Sequence, residues 1–157
     1  MAFSEITQSQ NNMRYTVSNT ISKPIEQVVK EFSNQENKVK WMDGLQSFEQ
    51  VDGEPLTIGS KSRLTFAMGR RTLVMTQIIL ENKLPESLKL VSKSRDVNNM
   101  ITHRFKALAE NETYHETTHV FEFKNWGMKL LSPLMKKAFM QQSQTYLDNF
   151  KKFIETI

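Results

Sequence analysis

The C-terminal run from Ser132 to Ile157 most constrains the fold of this chain, because it predicts one long amphipathic helix. Ser132-Pro133 is typical of a helix start, with serine as the N-cap and proline at the first helical position, where its missing N–H costs nothing. Polar residues from Gln141 to Thr145 interrupt the apolar face, a gap that suits a helix closing over a cavity. The apolar face follows steps of three and four, or their multiples, through Leu131, Met135, Phe139, Tyr146, Phe150, Ile154 and Ile157.

The length and composition indicate one globular domain with an ordinary core. A chain of 157 residues fits a single domain. Its net charge of +4 comes from dispersed lysines and arginines, whereas nucleic-acid binders cluster them. We therefore expect no nucleic-acid partner and at most transient contact with an anionic membrane surface. The absence of cysteine excludes disulfides, zinc-thiolate sites and thiol catalysis, and it fits a reducing cytoplasm.

The N-terminal residues 1–12 are polar, and we expect them to be flexible. They lack the basic and then apolar regions of a signal peptide. No later run approaches the roughly 18 apolar residues of a membrane span. The sequence therefore predicts a cytoplasmic protein in which residues 13–157 form one domain.

A strand and two short helices are predicted to open this domain. Residues Met13 to Ile21 alternate between apolar and polar, as a half-buried strand does. Ser22 and Pro24 repeat the chemistry of a helix start, and they predict a helix over Pro24–Phe32. A second helix is expected over Gln35–Met42. Both are too short to be stable alone and must pack on something larger.

Six further strands are predicted, and one turn sets a register. Gly69-Arg70 fits a two-residue hairpin loop of type II′, which has glycine at its first central position. This loop pairs Phe66 with Leu73 and Leu64 with Met75, apolar against apolar. Residues 96–99 are expected to be a loop. One of the six strands follows Arg70. The other five are predicted at Leu45–Val51, Lys61–Met68, Leu88–Ser94, Met100–Leu108 and Glu112–Phe123.

The order of elements defines an α+β architecture. Consecutive strands joined by hairpins form an antiparallel sheet, and such a sheet twists and curls. Only the long C-terminal helix can cover its concave face. A bent sheet gripping one helix leaves a hollow between them, which the two short helices close at one end.

Several local phrases resemble the START-like superfamily (SRPBCC), which includes polyketide cyclases/dehydrases, lipid-transport proteins and the birch-pollen-allergen fold. They are residues 22–28 after the first strand, 36–42 in the second helix, 59–61 opening the third strand, and the final helix. The resemblance implies a helix-grip fold of about seven strands and a cavity for a lipid, a quinone or a polyketide-like molecule. The superfamily has no shared catalytic motif, so the resemblance implies no catalytic residue and no cofactor.

Three histidines, predicted on one face of the last hairpin, are the most specific candidates for a functional site. If Ala107 pairs with Thr113, then His103 faces Thr117, and His115 and His119 are its diagonal neighbours. One interpretation is that each histidine is a separately satisfied structural residue, and another is that they orient a ligand. A three-histidine zinc site is chemically feasible, but no carboxylate on that face orients it, and we predict no metal.

The remaining candidates are inward-facing residues of the sheet and the final helix. The predicted ligand-binding residues are Leu64, Phe66, Leu73, Met75, Gln77, Leu90, His103, Phe105, His115, Thr117, His119, Phe121, Met135, Phe139, Gln142 and Tyr146. The buried amides of Gln77 and Gln142 need partners, which are each other, backbone or water unless a ligand supplies them.

Three functions remain open from the sequence. The first is to bind or carry a hydrophobic or amphipathic small molecule. The second is a cyclase- or dehydratase-type enzyme with a pocket histidine as general base. The third is a toxin-like or co-chaperone-like interaction role, which predicts a filled cavity and an exposed apolar patch. We favour binding without turnover.

Overall fold

The computed structural model describes residues 13–157, and the flexible segment predicted for residues 1–12 lies outside them. The helices in this part of the chain are α1 (Ile25–Ser33), α2 (Lys38–Trp41) and α3 (Trp126–Glu155), with a 3₁₀ turn (Gln35–Asn37) before α2. The strands are β1 (Met13–Ile21), β2 (Leu45–Asp52), β3 (Lys61–Met68), β4 (Arg71–Lys83), β5 (Ser87–Lys93), β6 (Val97–Ala109) and β7 (Glu112–Phe123).

The strands form one antiparallel sheet in the order β1-β7-β6-β5-β4-β3-β2. Strands β2 to β7 each pair with their neighbour in the chain, as hairpin connections dictate. The segment with α1 and α2 runs between β1 and β2, which are the two edges of the sheet. The predicted α+β helix-grip fold, with its curved sheet around a long C-terminal helix, is confirmed.

The predicted register of the sheet is confirmed at both hairpins that it was argued from. Phe66 pairs with Leu73 and Leu64 with Met75. Gly69 has a φ of +61°, in the left-handed region that glycine adopts without a Cβ penalty. In the last hairpin His103 lies opposite Thr117. The two-residue turn therefore puts the inward-facing residues of β3 beside those of β4, as expected.

Helix α3 begins earlier than the sequence predicted. It starts at Trp126, where the Asn125 side chain accepts a hydrogen bond of 2.8 Å from the Gly127 N–H, and Pro133 lies inside it. Proline has no N–H for the carbonyl four residues before it, here that of Lys129. The Ser132 hydroxyl donates to this Lys129 carbonyl at 2.9 Å. The Ser-Pro pair therefore maintains the helix at this point, and the expectation that it starts the helix was wrong.

The buried face of α3 also differs in part from the predicted stripe. Leu131 and Ile157 are each 53% exposed, whereas Phe150 and Ile154 are fully buried. Leu147 and Ser143 are buried on the same face although the stripe omitted them. With Phe150 and Ile154 they follow steps of four, three and four, so they share one side of the helix.

The buried apolar residues form two clusters, and both contain residues that line the space between the sheet and α3. The first joins Ile21, Phe32 and Phe105 to the end of α3 at Phe150 and Ile154. The second contains Met13, Tyr15, Phe121, Phe123 and Leu147, with Met135 and Phe139 packed against it. Helix α3 therefore contacts apolar residues along its length, from β1 and β7 to α1.

Smaller boundary differences follow from pairing and local geometry. Residues 97–99 are not a loop: they extend β6, because Val97 pairs with Phe123 and Asn99 with Phe121. Pro24 is the N-cap of α1 and not its first residue. The second predicted helix divides into the 3₁₀ turn and α2. No helix among residues 13–157 has the length and apolar character needed to cross a membrane.

Candidate ligand-binding cavity

A cavity of about 420 Å³ lies between the inward face of the sheet and α3. This volume falls within the range of about 300–1,000 Å³ that is typical of small-molecule sites. Strands β3 and β4 supply apolar walls, β6 and β7 supply the histidines, and α1 and α2 contribute Phe32, Lys38 and Trp41. The sheet and helix therefore enclose a mainly apolar space with a few polar groups.

The structure places fourteen of the sixteen predicted site residues in the cavity wall. The two others lie outside it. Phe105 stacks on the ring of His115 at 4.4 Å between centroids, and Met135 packs in the second apolar cluster. Ligand contact by any of the sixteen stays a prediction. The fourteen in the wall are Leu64, Phe66, Leu73, Met75, Gln77, Leu90, His103, His115, Thr117, His119, Phe121, Phe139, Gln142 and Tyr146.

Two of the histidines form a direct pair. Nδ1 of His103 lies 3.3 Å from Nε2 of His115. His115 is 2% exposed, and its ring is packed between Phe105 and the edges of Phe32 and Phe150. Burial lowers the pKa of His115 to about 3, because the charged imidazolium loses its hydration there. Burial, and then the neighbouring His115, lower the pKa of His103 well below its ordinary value of 6.5.

The third histidine has its own partners. The Asn99 side-chain amide donates to Nδ1 of His119 at 3.0 Å, and Nε2 of His119 lies 3.1 Å from the Thr117 hydroxyl. A neutral imidazole has one donor and one acceptor, so this arrangement leaves the proton on Nε2. Tyr15 stacks on the ring at 4.8 Å. Burial lowers the pKa of His119 to about 4, and the neutral ring is therefore held in one orientation.

The structure brings the three histidines to one wall but does not join them into one network. His103 keeps part of its surface in the cavity, whereas His115 and His119 are buried. The Nδ1 atom of His115 has no hydrogen-bond partner within the described chain. Among residues 13–157, no group of three or more His, Asp or Glu side chains is placed to hold a metal ion. His103 is thus the histidine best placed to meet a ligand.

The amides and tyrosines of the cavity divide into paired and unpaired groups. Gln142 donates to the Tyr146 hydroxyl at 3.1 Å, and Tyr146 donates to the Asp43 carbonyl at 3.3 Å. Gln142 is exposed, so the expectation that its amide is buried was wrong, and its amide nitrogen is paired with Tyr146 and not with Gln77. Gln77 lies in the cavity wall on β4. Tyr15 was not among the predicted site residues. Its hydroxyl forms a hydrogen bond of 2.6 Å with Ser143, within the polar stretch that interrupts the apolar face of α3.

Lys38 is the functional candidate that sequence reasoning missed. It lies in the cavity wall, and its Nζ stands 4.8 Å from the ring centroid of Phe32 and 5.4 Å from that of Trp41. Phe48 on β2 is a third ring, at 5.5 Å. Burial lowers the pKa of Lys38 to about 8. The only local signal was the proximity of Trp41 in the same short helix, because Phe32 and Phe48 come from other elements.

The comparisons with known proteins support the fold. No protein-family model matches the sequence, and no curated protein matches it. Among solved structures, the Zhui aromatase/cyclase from a Streptomyces species is similar with a TM-score of 0.77 at 12% identity, covering 92% of this chain and 94% of that one. Ara h 8.0201 gives a TM-score of 0.72 at 13% identity, covering 93% and 99%.

A third similar structure was solved with small molecules bound. Norcoclaurine synthase from Thalictrum flavum, in complex with dopamine and hydroxybenzaldehyde, has a TM-score of 0.68 at 11% identity, covering 92% of this chain and 87% of that one. At such identities the likeness shows a shared fold and not a shared activity. The helix-grip fold that the resemblance implied is therefore confirmed.

Proposed function

We propose that this protein binds and carries a hydrophobic or amphipathic small molecule, such as a lipid, a quinone or a polyketide-like compound. The observation that carries the proposal is the cavity of about 420 Å³ between the sheet and α3. Its wall combines apolar side chains with a few fixed polar groups, the usual composition of a small-molecule site. The similar structures include one that holds aromatic small molecules. We expect this binding to take place in the cytoplasm.

A matched pair of variants on β4 tests this proposal. Leu73 lies in the cavity wall, whereas its neighbour Val74 is 50% exposed on the other face of the strand. A neutral fluorescent probe, N-phenyl-1-naphthylamine, should bind the wild type at micromolar concentration and should lose at least tenfold in affinity with Leu73→Asp. Val74→Asp should change the affinity less than twofold. Absence of binding to the wild type would refute the proposal.

A second candidate function is catalysis by His103. Its neutral imidazole faces the cavity, and a neutral imidazole can act as a general base. The similarity to an aromatase/cyclase supports the same alternative. Turnover of a bound polyketide-like compound that disappears with His103→Gln, while its binding persists, would favour enzyme over carrier. The interaction role has less support, because it needs a filled cavity.

The transient membrane contact has a candidate surface on the outer side of α3. Trp126, Leu130 and Leu134 are 75%, 62% and 80% exposed. Their spacing of four residues puts them on one stripe. Lys129 and Lys137 lie nearby, and no acidic residue occurs from position 123 to 147. Exposed tryptophan and leucine with flanking lysine fit the interface of an anionic membrane, from which a carrier would take its ligand.

A further inference from the structure

The ammonium group of Lys38 is a cation in the cavity wall without an anionic partner. Ion pairs within residues 13–157 join other side chains, and none includes Lys38. The contacts of its Nζ are the rings of Phe32, Trp41 and Phe48, at 4.8–5.5 Å from their centroids. Aromatic faces attract a cation but do not neutralise it. This charge therefore faces the cavity uncompensated.

Lys38 remains protonated at neutral pH. Burial lowers its pKa only to about 8, so at pH 7 about nine-tenths of the molecules carry the charge. A buried ammonium is unfavourable unless an opposite charge pairs with it. Asp43 also lines the cavity, but it makes no ion pair with Lys38. An anion brought by the ligand would supply the missing partner.

Two carboxylates, those of Asp43 and Asp96, belong to the cavity lining, but both residues are exposed and neither forms an ion pair with Lys38. The titratable group beside the Lys38 ammonium is the imidazole of His103. His103 contacts the same Phe32 ring, at 4.7 Å between centroids, and the charge of Lys38 is near enough to help keep it neutral. Its Nδ1 is already engaged with His115, which leaves Nε2 for a second hydrogen bond to the ligand. One ammonium and one neutral imidazole match a monoanion better than a phosphate dianion.

We propose that Lys38 pairs with the carboxylate of the ligand, so that the cavity selects amphipathic organic acids over their neutral counterparts. The apolar side chains on β3 and β4 would take the body of such an acid, and Lys38 its head. A charge-assisted hydrogen bond in a site with little water is stronger than a neutral one. The inference rests on the proposed binding function and adds to it the chemical class of the ligand.

A matched pair of probes separates this inference from the binding function. Cis-parinaric acid and its methyl ester share one fluorescent chain and differ in the carboxylate. We expect the wild type at pH 7 to bind the acid at least tenfold more tightly than the ester. Equal binding of the two would overturn the inference and leave the binding function standing. Failure of both probes, together with the neutral naphthylamine, would overturn both proposals.

Variants on α2 assign the preference to one side chain. Lys38→Met should reduce affinity for the acid at least tenfold and change affinity for the ester less than twofold. Lys40→Met is the control, because Lys40 lies outside the cavity wall, bonds to Asn37 at 3.0 Å and stands over Phe153. Lys38→Arg should retain the preference. An acid preference that survives Lys38→Met would refute the role of Lys38, and so would its loss in Lys40→Met. If Lys38→Met does not fold, the wild-type ratio and Lys38→Arg still decide.

Discussion

Lowering the pH from 7.5 to 5.0 should destabilise this protein through its buried histidines. In the unfolded chain an imidazole takes up a proton near its ordinary pKa of 6.5, whereas burial lowers the pKa of His115 to about 3 and of His119 to about 4. Between these values the unfolded state binds more protons than the folded state. The free energy of unfolding therefore falls as the pH falls below 6.5.

The size of the loss follows from these pKa values. At pH 5.0, relative to pH 7.5, His115 and His119 should each reduce the free energy of unfolding by about 2 kcal/mol. His103 acts in the same direction, because its pKa is also lowered. A combined loss of roughly 4 kcal/mol or more is a large part of the 5–15 kcal/mol that stabilises a typical domain. The effect is thus well within measurement.

Urea unfolding at pH 7.5, 6.0 and 5.0, followed by circular dichroism, measures this loss. Lys83 lowers the pKa of Glu81 from 4.5. The stability that this carboxylate contributes is lost only at lower pH, below the range from 7.5 to 5.0. His119→Gln is the matched variant, because it lacks an ionisable ring, and it should lose about 2 kcal/mol less over the same range. A free energy of unfolding that is unchanged from pH 7.5 to 5.0, or imidazole resonances that titrate near pH 6.5, would refute the reasoning.

Three further predictions concern packing, a buried hydroxyl and the outer surface of α3. Phe150→Ala should cost about 3–5 kcal/mol in urea unfolding, because Phe150 is fully buried, while Leu134→Ala should cost under about 0.5 kcal/mol; equal costs would contradict the packing. Tyr15→Phe removes the hydroxyl that bonds to α3 and should cost about 1 kcal/mol; no change would mean that this bond contributes nothing. Cosedimentation with phosphatidylglycerol-containing vesicles should exceed that with neutral vesicles, and Leu130→Ser with Leu134→Ser should abolish the difference; retained binding would place the contact elsewhere.

The strands and much of the cavity wall could be predicted from the sequence because their determinants are local. Alternating side chains identify a strand, and the two-residue Gly69-Arg70 turn leaves one register for β3 and β4. The same reasoning placed His103 opposite Thr117. Once the register is known, the face of each residue follows from the period of two, and most of the predicted site residues therefore lie together.

The start of α3 could not be read in this way, because one pattern has two local uses. Ser132-Pro133 has the chemistry of an N-cap, and the same serine satisfies the Lys129 carbonyl inside a longer helix. Residues from Trp126 onward continue the helix, with Asn125 as its cap. The predicted start of α3 was wrong for that reason. The prediction that a long helix exists, with Phe150 on its inward face, did not depend on where the helix starts.

The sequence alone thus determined the architecture and the inward faces, since hairpin turns and side-chain periodicity act over a few residues. The environment of Lys38 was decided only by the tertiary structure. Its sequence position in a short helix resembles an ordinary solvent-facing lysine. Packing of α1 and β2 against α2 brings the rings of Phe32 and Phe48 to its ammonium group. The desolvation that lowers the pKa of Lys38 results from groups brought together by folding, which no local pattern specifies.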